Sequence, residues 1–351
     1  MNLIILTKYG NKAPSSRYRF YNYLKYFENE KLNYSIHPFF SDKYVEDLFN
    51  SKKRSLILVA KSYFLRFFLI LGILFTKPKT ILIQGEIFPY IPSYFERLLV
   101  FMGHSIFIDL DDAIYLNYNN TFFFRLFKNK FPKILKISKG VIVGGKGLYD
   151  YAKKHSNNII IIPTSIDTEL YKKFRNNSET LNVIGWIGSP SSEKDLEFIY
   201  PQLTRFLNDF DVTLLLIGNI ESMRSKFIAN HKVKLIEWNI KTELLELSKI
   251  DLGIMPLPDD LYNNGKCSFK LIQYMALSKP TLSTPLTSNI WVDKENLNYF
   301  SNLENDNWYE SLKLIYLSKD FKMRGLKNGS IADSFFDVSL NAKKTISFLS
   351  I

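Results

Sequence analysis

The feature that most limits how this chain can fold is an alternation. Short runs rich in β-branched residues, Leu3–Leu6, Ile36–Phe39, Thr80–Ile83, Ser105–Ile108, Val141–Val143 and Ile159–Ile162, recur between longer helical stretches. Strands separated by helices pair in parallel, because the crossover needs the length that a helix supplies. A polar, charged stretch around Asp167–Ser178 interrupts the pattern, which then resumes. Strands are expected at Val183–Ile187, Val212–Ile217, Val233–Ile236, Leu252–Pro256 and Thr281–Ser283, and helices at Lys194–Leu207, Thr242–Ser248 and Phe269–Leu277. The sequence therefore predicts an α/β chain of two doubly wound domains in tandem, residues 1–175 and 176–351, a length that suits two cores. Such sheets bind ligands at the carboxyl ends of their strands, so two facing domains are expected to hold a ligand in the cleft between them.

Charge divides the chain in the same place. Residues 1–175 carry 27 Lys and Arg against 13 Asp and Glu, a net +14, whereas the remainder is at −2. A basic half points to an anionic partner: a cytoplasmic leaflet, a phosphate-linked substrate or a nucleic acid. Nucleic acid is the weakest of these, since no helix-turn-helix, zinc-finger or RNA-recognition signature accompanies the charge. Plain solvated surface is the competing explanation. The stretch Leu56–Phe75 is long enough to span a bilayer, but Lys61 and Arg66 interrupt it. A buried helix, or one lying on a membrane surface, is expected instead. The N-terminal run reads as a first strand with no secretory signature, and the single cysteine, Cys267, points to a reducing cytosol. One cysteine and four scattered histidines also argue against a structural zinc site.

Two loops in the second half suit a phosphate. After Val183–Ile187 comes Gly188-Ser189-Pro190-Ser191-Ser192-Glu193-Lys194, a small-residue turn opening a helix. After Met255-Pro256-Leu257-Pro258 comes Asp259 to Lys270, in which Lys266 and Lys270 flank a helix start. A helix N-terminus has four N–H groups without intrahelical partners and the positive end of the dipole, so an anion there receives hydrogen bonds as well as lysine charge. A diphosphate fits, with the amide of Gln273, one turn further on, placed to reach a ribose.

In the first half, Asp109, Asp111 and Asp112 are read as following the strand Ser105–Ile108, at its carboxyl end and facing the expected cleft, where carboxylates can orient a hydroxyl or stabilise a cation. A metal site and a capping turn are the alternatives. The loop Gly10–Ser16 ends in a capped helix start bearing Arg17 and Arg19, about 200° apart around the axis, so at most one faces the cleft. Either can grip a phosphate; an exposed basic pair is the plainer reading.

Taken together, IGWIGSPSSEKDL, DLGIMPLPDD, GKCSFKLIQYMALSKPTLSTP, KYGNKAPSSRYRFYNYL and FIDLDDAIY resemble the retaining glycosyltransferases of the "group 1" family, over nearly the whole chain. The resemblance implies the GT-B fold, two facing Rossmann-like domains with an interdomain cleft. It implies that a sugar nucleotide is bound mainly by the C-terminal domain, without cofactor or metal. Lys194 is then expected at the diphosphate, and Gly265, Lys266, Cys267, Ser268, Phe269 and Lys270 around diphosphate and donor sugar, with Gly10, Gly188 and Ser189 beside them. Gln273 stands where the family has a ribose-holding glutamate, Gly265 where it has a donor-sugar glutamate, Ser189 in place of a frequent arginine, and the histidine that the family often places by these aspartates is lacking.

The expected chemistry is sugar transfer to a glycan or lipid-linked glycan, with Lys194, Lys266 and Lys270 sharing stabilisation of the leaving phosphate. The expected place is the cytoplasm, either free in it or peripheral on the inner face of the membrane. A non-catalytic GT-B partner protein that binds nucleotide or glycan is the alternative. A Rossmann oxidoreductase is disfavoured by the lack of a G-x-G-x-x-G turn after any expected strand.

Overall fold

A computed structural model describes residues 2–49, 55–118, 127, 129–218, 226, 227 and 230–350. Among them the chain forms two six-stranded parallel sheets. The first has the order β2-β1-β3-β4-β5-β6, from strands Asn2–Thr7 (β1), Asn33–Pro38 (β2), Thr80–Gln84 (β3), Ser105–Leu110 (β4), Gly140–Val143 (β5) and Ile159–Ile161 (β6). The second has the order β12-β11-β10-β7-β8-β9, from Val183–Ile187 (β7), Thr213–Ile217 (β8), Val233–Ile236 (β9), Leu252–Met255 (β10), Thr281–Ser283 (β11) and Tyr299–Phe300 (β12). In both, the order reverses beside the first strand, as in doubly wound folds.

The chain separates into two compact units: residues 1–166 with 265–267 and 338–351, and residues 167–264 with 268–337. The division expected at residue 175 thus falls nine residues earlier. Arg175 explains why, for its guanidinium donates to the Ala276 carbonyl at 2.8 Å and forms an ion pair with Asp333 at 2.8 Å, both in the second unit. The last helix, Val338–Leu349, belongs to the first unit, where Phe348 meets the ring of Phe107 at 5.7 Å. Gly140 makes room for it, since a Cβ there would lie 2.7 Å from the Phe348 ring.

Both sheets are apolar on both faces, as parallel sheets must be when helices cover them. In the first unit one face packs beneath the helices Leu56–Leu74, Tyr94–Phe101, Lys130–Ile137 and Lys146–Ala152. The other face carries Phe20, Tyr23, Phe27 and the last helix. The helix expected over Lys194–Leu207 is two elements, a 3₁₀ stretch Pro190–Ile199 and an α-helix Tyr200–Asp209. Pro201 is the reason: it lacks an N–H and fits only a first turn, so the α-helix restarts around it.

Candidate donor and acceptor sites

In the second unit the site is built at the carboxyl end of β7. Trp186, fully buried, ends the strand's inward row, and Gly188 follows. Glycine is required there because a Cβ would meet the Trp186 ring at 2.2 Å and Ser192 Oγ at 2.6 Å. Ser192 Oγ accepts from the Ser189 N–H at 3.1 Å, which closes the turn onto the 3₁₀ helix. Lys270, from the helix Phe269–Ala276, sits with Nζ 4.4 Å from the Trp186 ring centroid and donates to Ser192 Oγ at 3.4 Å. The two loops read separately from sequence are therefore joined by Lys270, over an aromatic floor.

What holds that helix is Tyr274. Its hydroxyl accepts from the Ile187 N–H at 3.1 Å, and its ring lies where a Cβ on Gly253 would be 2.2 Å away. The helix begins at Ser268, whose φ of 54° places it in the left-handed region, a conformation costing a serine about 1–2 kcal/mol. Its hydroxyl donates to Asn289 Oδ1 at 2.8 Å instead of capping the helix. Phe269 is half-buried, and Lys194 is exposed on the 3₁₀ helix.

Gln273 is 3% exposed and its Nε2 donates to Glu243 Oε1 at 2.9 Å and to Tyr171 Oη at 3.1 Å. The amide expected to reach outward to a ribose has both its N–H groups directed at its own unit. Glu243 in turn accepts from Trp238 Nε1 at 2.5 Å through its other oxygen. Glu243, Trp238, Tyr171 and the Trp186 floor were not singled out from sequence. The one usable signal was Trp186 two residues before Gly188.

In the first unit, β4 runs on through Asp109 to Leu110, so Asp109 is a strand residue and not part of the turn after it. It shares a face with Phe107, toward the helix Pro14–Arg19. There Arg19 meets it in a two-pronged ion pair, Nε to Oδ1 at 2.8 Å and Nη2 to Oδ2 at 2.6 Å, while Nη1 donates to the Ile162 carbonyl at 2.8 Å. Both side chains are at least nine-tenths buried. This corrects the picture of Arg17 and Arg19 as an exposed pair, and Arg19's fork is occupied by Asp109 instead of presented to an acceptor. Arg17 is also buried, against the Tyr18 ring at 4.9 Å, with Nη1 lacking a hydrogen-bond partner.

The helix does not carry the expected serine cap. Its N-cap is Ala13 with Pro14 following, and Ser16 donates to Gln84 Oε1 at 2.8 Å. Gln84 also accepts from the Lys8 N–H at 3.0 Å, so β3 holds the β1 loop. Gly10 is buried in that loop, where a Cβ would meet the Asp42 carboxylate at 2.2 Å.

Asp111 and Asp112 are half-buried in the turn after β4. Burial raises both carboxyls, and Asp112 raises Asp111 further. A carboxyl that holds its proton more tightly folded than unfolded stabilises the fold at low pH and loses that contribution as pH rises from 3.8 toward neutrality. Asp111→Asn is accordingly expected to raise the melting temperature by a few degrees near pH 7 and to leave it unchanged near pH 4, as scanning calorimetry at both pH values would measure. Gly265 is buried and Lys266 and Cys267 half-buried; all three group with the first unit. Burial pushes the Cys267 thiol up to about 12, which leaves it a poor nucleophile.

The paired parallel sheets, with their strand orders, define the GT-B fold, as the sequence predicted. No family model matches the sequence and no curated protein aligns with it. Solved structures do match. An Escherichia coli trehalose-6-phosphate protein bound with UDP-2-fluoro glucose matches with a TM-score of 0.68 at 10% identity, over 99% of each chain. Anabaena HepE in complex with UDP and glucose gives 0.64 at 13% identity, over 100% of this chain and 99% of that one. WaaG, a glycosyltransferase involved in lipopolysaccharide biosynthesis, gives 0.64 at 12% identity, over 99% of each.

Proposed function

We propose that this protein is a glycosyltransferase that moves a sugar from a nucleoside-diphosphate donor to a glycan or lipid-linked glycan acceptor. The observation that carries the reading is the Lys270–Ser192–Trp186 cluster at the carboxyl end of β7, the end where such sheets bind nucleotides. It is supported by neighbours of the same fold that hold UDP or a UDP-sugar. Breaking a sugar–diphosphate bond builds negative charge on the leaving phosphate. A fixed cation and the N–H groups of the helix that starts at Phe269 are the preorganised donors that such a charge requires. Lys194 is assigned to the same task, with Gly188, Ser189, Ser268 and Phe269 shaping the donor site.

Asp111 and Asp112, raised toward neutrality, are suited to exchange a proton with an acceptor hydroxyl. Arg17, buried with an unpartnered nitrogen, is the better of the two arginines for an acceptor anion. Retention of configuration and independence of metal rest on the family resemblance alone.

The test is a thermal-shift panel of UDP, GDP and their sugars. A donor at 100 times its Kd is expected to stabilise the protein by about 2.7 kcal/mol, and no shift with any nucleotide would sink the reading. The internal commitment of Gln273 favours one second reading, a GT-B partner that binds nucleotide without turnover. Binding with neither hydrolysis nor transfer, whatever acceptor extract is offered, would select it.

A further inference from the structure

The helix Leu56–Leu74 is long and apolar enough to cross a membrane, yet one side of it is bound into the first unit. Arg66 on its inner face is 3% exposed and donates to the carbonyls of Thr7 at 3.1 Å and His37 at 2.8 Å, and Ile70, Ile73 and Leu74 join the core beside it. One face is therefore fixed to the first sheet. The opposite face is the anomaly. A helix side turned to water is ordinarily polar, but here Ile57 is 81% exposed, Phe64 61% and Phe68 53%. The neighbouring helix Tyr94–Phe101 extends the patch: Phe95 meets Phe67 with ring centroids 6.0 Å apart, and Leu98, Phe101 and Met102 are exposed. An apolar surface continued across two packed helices marks an interaction site.

Charge says what covers it. Lys61 and Arg97 are exposed on the same two helices, and Lys77 follows the first of them. The helices Lys130–Ile137 and Lys146–Ala152 cover the same sheet face. All four precede or follow parallel strands, so their C-terminal ends lie together along the amino edge of β3, β4, β5 and β6. At that edge, with Phe101 and Met102, is a groove of about 860 Å³ lined by Lys133, Lys136, Lys153 and Lys154. A second copy of the chain bound face to face would set these cations against each other. An anionic bilayer answers both features, its headgroup boundary taking the rings and its phosphates the lysines.

We propose that the Leu56–Leu74 and Tyr94–Phe101 helices, with the lysine groove at the amino edge of the same sheet, dock the first unit on an anionic membrane surface. The patch shares no residue with the donor cluster, and its test uses no sugar nucleotide, so the two readings fail separately.

The full chain is sedimented with vesicles of phosphatidylglycerol and phosphatidylcholine, and with phosphatidylcholine alone. Binding is expected to the anionic vesicles, to weaken with salt, and to fall about fivefold for each of Lys133, Lys136 and Lys153 changed to glutamate. Phe64→Ser/Phe68→Ser/Phe101→Ser alters only exposed side chains, and is expected to lose about tenfold or more. Wild-type protein left in the supernatant would overturn the proposal. So would undiminished binding of the phenylalanine variant, or a solution dimer that this variant dissolves.

Discussion

Asp109→Ala is expected to destabilise the first unit by about 3–5 kcal/mol, the cost of leaving a buried charge without its partner. Arg19 would keep its bond to the Ile162 carbonyl, but its buried Nε and Nη2 donors would lose the carboxylate they are paired with. Replacing both partners at once is expected to cost far less, because two apolar side chains need no compensating charge; Arg19→Met/Asp109→Leu is the variant to compare. Urea denaturation followed by far-UV circular dichroism measures the difference. Tryptophan fluorescence gives a separate record, since Trp186, Trp238, Trp291 and Trp308 all lie in the second unit. The same experiment decides Asp109's role. If Asp109→Ala and the double variant melt like the wild type yet lose transfer, the carboxylate is catalytic as the sequence suggested, and the pair is not what holds the fold.

Why that pair escaped a reading of the sequence is a matter of distance along the chain. Residues 19 and 109 are brought together by β3 lying between β1 and β4, a neighbour relation that periodicity does not encode. The strands themselves were legible to within a few residues, because buried parallel strands are short continuous apolar runs. Tyr299–Phe300 was missed, being two residues long and without a pattern. Pro201 was in view, and its missing N–H already forbade one continuous helix over Lys194–Leu207. Nothing local says that residues 338–351 return to the first sheet; that return depends on a space above Gly140 that only the assembled sheet defines. The donor loops were legible as a pattern of glycine, serine and lysine. The partners that fix them, Trp186 beneath Lys270 and Glu243 beside Gln273, were not, since each falls inside an expected strand or helix with nothing local to mark it.

Lys270→Ala is expected to lower kcat by about 10²–10³-fold if the cluster at β7 stabilises a leaving diphosphate, the magnitude usual for removing one preorganised donor from developing charge. Its structural cost is expected to be small. The ammonium over Trp186 is half-buried and its bond to Ser192 is long at 3.4 Å, so the cation–π contact contributes about 0.5–1 kcal/mol. A large kinetic effect with a small thermal one would separate a reacting group from a packing one. Lys270→Arg sharpens the distinction: it keeps the charge but replaces a compact ammonium with a planar fork, and partial recovery of kcat is expected if charge matters more than geometry. Trp186 supplies a further readout, because a diphosphate that draws Nζ off the indole ring changes its emission in wild type and not in Lys270→Ala. An unchanged kcat in the alanine variant would remove Lys270 from the chemistry and leave Lys194 to account for the leaving group.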